Sequence, residues 1–289
     1  MNRYLILHKI LELGSFTKAA EALGYSQSSV SQAVASLEDE LSIKLLTRSR
    51  SGIRLTLEGA ELFPHVERLV YQYLALQEKA NEIKGLDSGV IRIGTISSIS
   101  THWLPELLKE FRQEYPGVEF VLHQGDYSLF QEWIKTGAVD FAFVNPAAVS
   151  GIETVVLKEG AMLAVLPENH PLAELETVPL EALAEEPFIL LEEGHYSEPL
   201  VAFQTLGLKP NVRYTIHDDY AIMTMAEAGL GVSILAELVL HRTHYRLALR
   251  PTVPAISRTI AVGYRDKNSL PIAAKRFIER LQHHAADLP

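Results

Sequence analysis

Gln27, Ser28, Ser31 and Gln32 sit at helical spacing, and their short hydroxyl and amide side chains can bond base edges or phosphates without blocking close approach. Just downstream, Lys44, Arg48, Arg50 and Arg54 share a stretch, residues 44–54, that holds no acid, a charge pattern suited to phosphates. Each group also has a plainer reading, as a solvated helix face and a solvated basic loop. A third group is Ser97-Ser98-Ile99-Ser100-Thr101, hydroxyl-rich and placed between an apolar run and a helical pattern. Free backbone N–H groups and the dipole at a helix entrance suit a carboxylate or phosphate, although N-capping by Ser100 or Thr101 accounts for the same residues.

Catalytic material is thin. The chain has no cysteine, which excludes disulfide, thiol and iron–sulfur chemistry. Its eleven histidines show no HExxH or HxH spacing. Gly229-Leu230-Gly231 lacks the third glycine of a dinucleotide fingerprint, and Gly194-His195-Tyr196-Ser197-Glu198 is not a nucleophile elbow. The acidic pairs Glu185-Glu186 and Glu192-Glu193 are sequence neighbours whose side chains should diverge. The expectation is a non-enzyme with no catalytic residue, metal ligand or cofactor.

The elements that would position these groups begin with helices. Leu5, Ile6, Ile10 and Leu13 give the first an apolar side and Gly14 ends it; Ser15 or Thr17 can cap the next, Phe16 to Leu23. Gly24 stands where a positive φ is wanted, and Ser26 caps a helix running through Val30, Val34, Leu37 and Leu41. Two helices joined by a short Gly turn form a helix-turn-helix, whose second helix presents its N-terminal residues to the major groove. Thr47 to Leu57, with Gly52 between two short extended arms, reads as a hairpin wing beside it.

Together these residues resemble the LysR-type transcriptional regulators. Gly14 to Leu23, Ser26 to Ser31, Leu37-Glu38-Asp39-Glu40-Leu41, Arg48 and Leu55-Thr56-Leu57-Glu58-Gly59 carry a nearly continuous match over residues 5–60. Ser42, Leu46 and Gln32 depart from the Gly, Phe, and Arg or Lys common in that family. The expected partner is double-stranded DNA with a near-palindromic site, read by Gln27, Ser28, Ser31, Gln32, Arg48, Arg50 and Arg54.

From Glu58 to Lys84, residues Leu62, Val66, Leu69, Tyr73, Leu76, Ala80 and Ile83 recur at 4-3-4-3-4-3 spacing, an a/d seam of three heptads. The chain's own domain or a partner helix could cover it; a homodimer through this seam is expected, as the resemblance also implies. The family likeness adds a homotetramer and contact with RNA polymerase.

Beyond Gly85-Leu86-Asp87-Ser88-Gly89 the patterns alternate. Strands are expected at 90–95, 118–124, 140–144, 162–166, 188–191, 212–216, 232–235 and 258–264, and helices at 101–115, 129–136, 200–206, 220–228 and 272–283. Alternation predicts parallel-type α/β sheets. The expected fold class is therefore α/β. An all-α winged helix-turn-helix occupies 1–57 and a dimerisation helix 58–87. Residues 88–289 form an effector domain, which the resemblance makes two-lobed and like a periplasmic binding protein. By the same likeness, lobe one spans 88–161 plus 265–289, and lobe two spans 162–264. The resemblance also implies effector contacts at Ser97, Ser98 and Thr101. Gln124 and Asn145 end strands pointing into the same cleft, and His195 and Asp218 join them from the second lobe. The expected ligand is a small anionic metabolite.

The formal charge of −10 over 289 residues argues at first against nucleic acid, but it is unevenly spread. Residues 1–57 hold seven basic and five acidic residues, residues 58–89 three and six, and residues 90–289 sixteen and twenty-five. A basic N-terminal reader is thus permitted. The start lacks a signal-peptide run and no 18-residue apolar stretch follows, so a cytoplasmic protein without membrane contact is expected. Rival readings are a solute-binding protein whose helix-turn-helix does not touch DNA, and an α/β enzyme tethered to DNA.

Overall fold

The computed structural model describes residues 2–49, 52–83, 88–241 and 243–288, with the backbone alone at 48, 49, 78, 81–83 and 88. Two compact units emerge, one built on Met1–Lys84 and the other on Gly85–Lys135 with Val139–Pro289.

In the first unit, α1 (Arg3–Leu13), α2 (Phe16–Leu23) and α3 (Gln27–Leu41) are each started by a side-chain cap, from Asn2, Ser15 and Ser26. Gly14 and Gly24 end α1 and α2 at φ +63° and +71°, the left-handed conformation that glycine enters without a Cβ penalty. Ile6, Ile10, Ala19, Ala20, Val30 and Val34 form the core between the three helices. The strands β1 (Leu46–Ser49) and β2 (Gly52–Leu55) pair antiparallel, Leu46 opposite Leu55, as the wing. Arg50, expected at its tip, lies outside the described residues.

The helix α4 (Leu57–Ile83) follows, and here the expected seam divides. Leu62 and Val66 pack with Leu7, Leu37, Leu45 and Val70 inside the unit's own core, so they do not belong to a partner surface. Leu69 and Leu76, seven residues apart, stay exposed at 54% and 66%, with Tyr73 half-buried between them and Ala80 exposed beyond. The side chain of Ile83 lies outside the described residues. A helix with two apolar stripes can serve its own core with one and leave the other unpartnered, which a single 4-3 count does not separate.

The second unit contains β3 (Ser88–Thr95), α5 (Ser97–His102), α6 (Leu104–Glu114), β4 (Gly117–Gln124), α7 (Tyr127–Thr136), β5 (Phe141–Val144) and β6 (Glu153–Pro167). It continues through β7 (Val178–Pro179), α8 (Leu180–Glu185), β8 (Pro187–Leu191), α9 (Glu198–Thr205) and β9 (Asn211–Ile216). Then come α10 (Asp219–Glu227), β10 (Ser233–Ala236), α11 (Glu237–Leu240), β11 (Leu247–Tyr264) and α12 (Ile272–His284). The expected helix at 101–115 is broken at Trp103, because Pro105 has no N–H to donate and its ring crowds the preceding turn.

The main sheet runs β10-β6-β11-β5-β3-β4. The parallel expectation holds for β3 with β4 and β5, and for the separate pair β8–β9, but β11 pairs antiparallel with both β5 and β6, and β10 antiparallel with β6. The cause is that β6 and β11, of 15 and 18 residues, pass together from one lobe into the other. One core gathers Ile91, Ile93, Phe111, Phe141 and Phe277 with Ile260, Val262 and Tyr264 from the end of β11. Another gathers Met162, Ala164, Leu180, Phe188 and Phe203 with Ile256. The return to the first lobe therefore falls between Ile256 and Ile260, upstream of the expected boundary at 264.

Candidate nucleic-acid interface and ligand cleft

On α3, Val30, Ala33, Val34 and Leu37 are buried, which turns Gln27, Ser28 and Gln32 outward, with Ser31 half-exposed. The cap Ser26 shares a hydrogen bond with Ser28, hydroxyl to hydroxyl at 2.9 Å. Arg54 on β2 is exposed, and the side chain of Arg48 is not described. Glu38 ties the wing to this helix: its buried carboxylate accepts from the backbone N–H groups of Leu45 and Leu46 at 2.8 and 3.1 Å and from Lys44 Nζ at 2.8 Å. Burial raises the Glu38 carboxyl, but the Lys44 and backbone hydrogen bonds outweigh it and hold it below the ordinary value. Thr56 continues the brace, donating its hydroxyl to Lys44 O at 2.6 Å and accepting from Gly59 N–H at 2.8 Å. At Gly59 a Cβ would collide with the carbonyl of Leu45, so only glycine lets α4 start this close to the wing. A charged-residue network with buried acceptors thus fixes the angle between a polar helix face and a basic hairpin.

In the second unit a cleft of about 340 Å³ opens where β3, β4, β8 and β9 end, the place open α/β sheets offer a ligand. Ser97 and Ser98 line it from α5, with Gln124, whose Nε2 donates to Ser97 Oγ at 3.2 Å. These three expected residues come together. Four others do not line the cleft. Thr101 is exposed, 3.5 Å from the Tyr220 hydroxyl. Asn145 is buried behind it, donating to Glu198 Oε1 at 3.0 Å. Asp218 is spent as the cap of α10, accepting from the N–H groups of Tyr220 and Ala221.

His195 is a latch. Its backbone N–H donates to Ser128 Oγ at 3.1 Å, its Nδ1 meets the same hydroxyl at 2.7 Å, and its Nε2 meets Ala148 O at 2.7 Å. The Ser–His distance would suit a nucleophile and its base, but the hydroxyl is also held by His195's own N–H, which clamps the loop to the other lobe. Gly194 permits the approach, since a Cβ there would collide with Ser128 Oγ.

Of the cleft's charged groups the sequence singled out only Glu192-Glu193, as a diverging pair; Glu192 turns to His217 and Glu193 to Arg258. Arg258, on β11, is buried and donates through Nη2 to both carboxylate oxygens of Glu193 at 2.6 Å and through Nε to Glu198 Oε1 at 3.2 Å. Glu198 also accepts from the Tyr127 hydroxyl at 3.3 Å. Asp219, the residue after the cap, is buried and lines the cleft. Burial drives the Glu193 carboxyl up; Arg258 pulls it back, Glu198 and Asp219 push it further, and it comes to about 7. Asp219 is raised for the same reason, burial first. Tyr127 is held well above its ordinary value by burial, and Arg258, despite burial, well above its own by the surrounding acids. The anionic ligand expected from the hydroxyl turn therefore meets no free cation. Arg258 is the only Lys or Arg lining the cleft among the described residues, and Glu193 and Glu198 already hold it. His217 at the rim pairs with Glu192. Among the described residues no cluster of three or more metal-ligating side chains is found.

Residues 1–60 match the family model of the bacterial regulatory helix-turn-helix protein, lysR family, and residues 84–286 match the LysR substrate binding domain. The chain is 33% identical to the HTH-type transcriptional regulator YvbU of Bacillus subtilis, covering 94% of each chain. It is 30% identical to the transcriptional dual regulator GltC of the same organism, covering 87% of this chain and 86% of that one. Full-length OxyR of Pseudomonas aeruginosa, in a form with one cysteine replaced by aspartate, superposes with a TM-score of 0.71 at 26% identity, covering 99% of this chain and 93% of that one.

Proposed function

Since the chain belongs to the LysR family of DNA-binding transcriptional regulators, we propose that a small molecule held in the cleft of its second unit sets how paired recognition helices meet an operator. The observation that carries this reading is the cleft itself, about 340 Å³ and lined from both lobes, by Ser97 and Gln124 on one side and Glu193 and Asp219 on the other. A ligand touching both lobes has a different affinity for open and closed arrangements, and that difference is what shifts a population.

In this reading Gln27, Ser28, Ser31 and Gln32 read bases, while Arg48, Arg50 and Arg54 meet phosphates. Leu69, Tyr73, Leu76 and Ala80 supply the dimer contact, which gives two recognition helices for a two-fold site. Pairing of dimers into a tetramer and contact with RNA polymerase extend the same proposal, as does a cytoplasmic location. No described helix is long and apolar enough to cross a membrane. The relatives are named regulators, and we read the chain as a regulator rather than a catalyst. The test is binding of the full chain to a palindromic operator-like duplex, with and without a molecule that stabilises it thermally. Operator affinity that moves with such a molecule supports the reading, and affinity indifferent to every stabilising molecule removes it.

A further inference from the structure

Resting on that reading of the cleft as the effector site, we infer that its ligand carries a cationic nitrogen, an ammonium or guanidinium, received between Asp219 and Glu193. Three carboxylates, the buried Glu198 and Asp219 and the half-buried Glu193, surround a single buried guanidinium, that of Arg258. Buried charges need a partner for each sign, and here the negative side is in excess. Glu198 makes the excess concrete. Its side chain is 3% exposed, its Oε1 accepts three hydrogen bonds, and its Oε2 has no partner among the described residues.

The geometry says where a compensating charge would enter. Glu198 lies behind the wall, while Glu193, Asp219 and the already paired Arg258 face the cleft. An anion arriving there would meet two carboxylates and a guanidinium already occupied. A primary ammonium has three donors and no acceptor, which matches a wall of carboxylate oxygens. On the facing lobe the Ser97 hydroxyl is already shared between Asp219 and Gln124, while the Ser98 hydroxyl and the Gln124 carbonyl line the same cleft and suit a polar group at the ligand's other end. A cation bridging the two walls would favour the closed arrangement.

The test is thermal shift and calorimetric titration of the full chain with length-matched probes, butylamine and putrescine against butyrate and succinate, with butanol as the neutral control. The amines should raise the melting temperature by several degrees and bind saturably, while the acids and butanol leave it unmoved. Asp219→Asn and Glu193→Gln should each cut amine affinity at least about tenfold. Asp219→Asn relieves part of the negative excess without breaking the Arg258 pair and should not melt below the parent, which separates lost binding from lost folding. Glu193→Gln gives up its pair with Arg258, so its amine affinity is read below its own, lower melting temperature. Stabilisation by the acids and not the amines, lost in Ser98→Ala, would overturn the cation and leave the effector cleft standing. Binding by neither series at tens of millimolar overturns both. Amine binding unchanged in both carboxylate variants would place the cation elsewhere and overturn the assignment.

Discussion

Arg258 Nη2 lies 2.6 Å from both carboxylate oxygens of Glu193, and this pair joins the strand that crosses between the lobes to the loop after β8 that lines the cleft. Through Nε the same guanidinium reaches Glu198, which Tyr127 and Asn145 grip from the other lobe. The ligand wall and the interlobe connection are therefore one hydrogen-bonded network, and a change at Glu193 is felt where the lobes meet. Removing one member of such a buried pair costs roughly 3–5 kcal/mol, so Arg258 is poorly placed to change partners for an incoming anion.

The pH dependence follows from Glu193. Its carboxyl stands at about 7 when folded, above the ordinary 4.5, so the stability it contributes is complete below about 4.5 and is lost as pH rises through about 7. The groups acting on it are Arg258, which opposes the shift, and Glu198 and Asp219, which add to burial. The melting temperature of the second unit should fall between about pH 5 and about pH 8, and Glu193→Gln should flatten that fall. An identical slope in parent and variant would show that another group titrates.

The wing assignment predicts a steep loss of operator affinity with salt, since each phosphate contact releases a counterion. Arg54→Ala should lower the slope of log Kd against log salt by about one, with little change in base preference. An unchanged slope would place Arg54 away from the phosphates.

Leu69→Glu with Leu76→Glu should turn the dimer into a monomer by sedimentation without unfolding it, because both side chains are exposed within one chain. Val66→Ala should do the reverse, keeping the dimer but lowering stability by roughly 2 kcal/mol, the methyls lost from a packed core. A double Glu variant that remains dimeric would move the interface elsewhere.

Ser42 ends α3 at φ +56°, the sole described non-glycine residue with positive φ. Here the departure from the family's usual glycine has a readable cost, since a Cβ in this conformation crowds the following carbonyl. Ser42→Gly should raise stability by about 0.5–1 kcal/mol in chemical denaturation, and a loss would mean that the serine is held by something other than its backbone.

The helix-turn-helix was legible because its signals are local: Ser15 and Ser26 as caps, Gly14 and Gly24 as stops. The crossing strands were not. Gly160 lies within β6, Pro251 and Pro254 lie within β11, and such residues read as turns where pairing with a distant strand overrides them. The acidic wall was hidden for the same reason, its members being brought together from the loop after β8, α9, α10 and β11. One signal was available. Ile256, Arg258 and Ile260 alternate on one side of a strand and all three are buried, so the arginine stood at a core position that demanded acids. Asp218 and Asp219 show the limit of sequence alone: one caps a helix, its neighbour faces the cleft, and only the helix phase separates them.

The most direct test joins cleft to operator. Fluorescence anisotropy of the full chain on a palindromic duplex should show an affinity change of at least about fivefold on saturation with the amine that stabilises it, and no change in Asp219→Asn. Equal affinity with and without that amine in the parent protein, at ligand concentrations that saturate its thermal shift, would contradict the coupling between cleft and recognition helices.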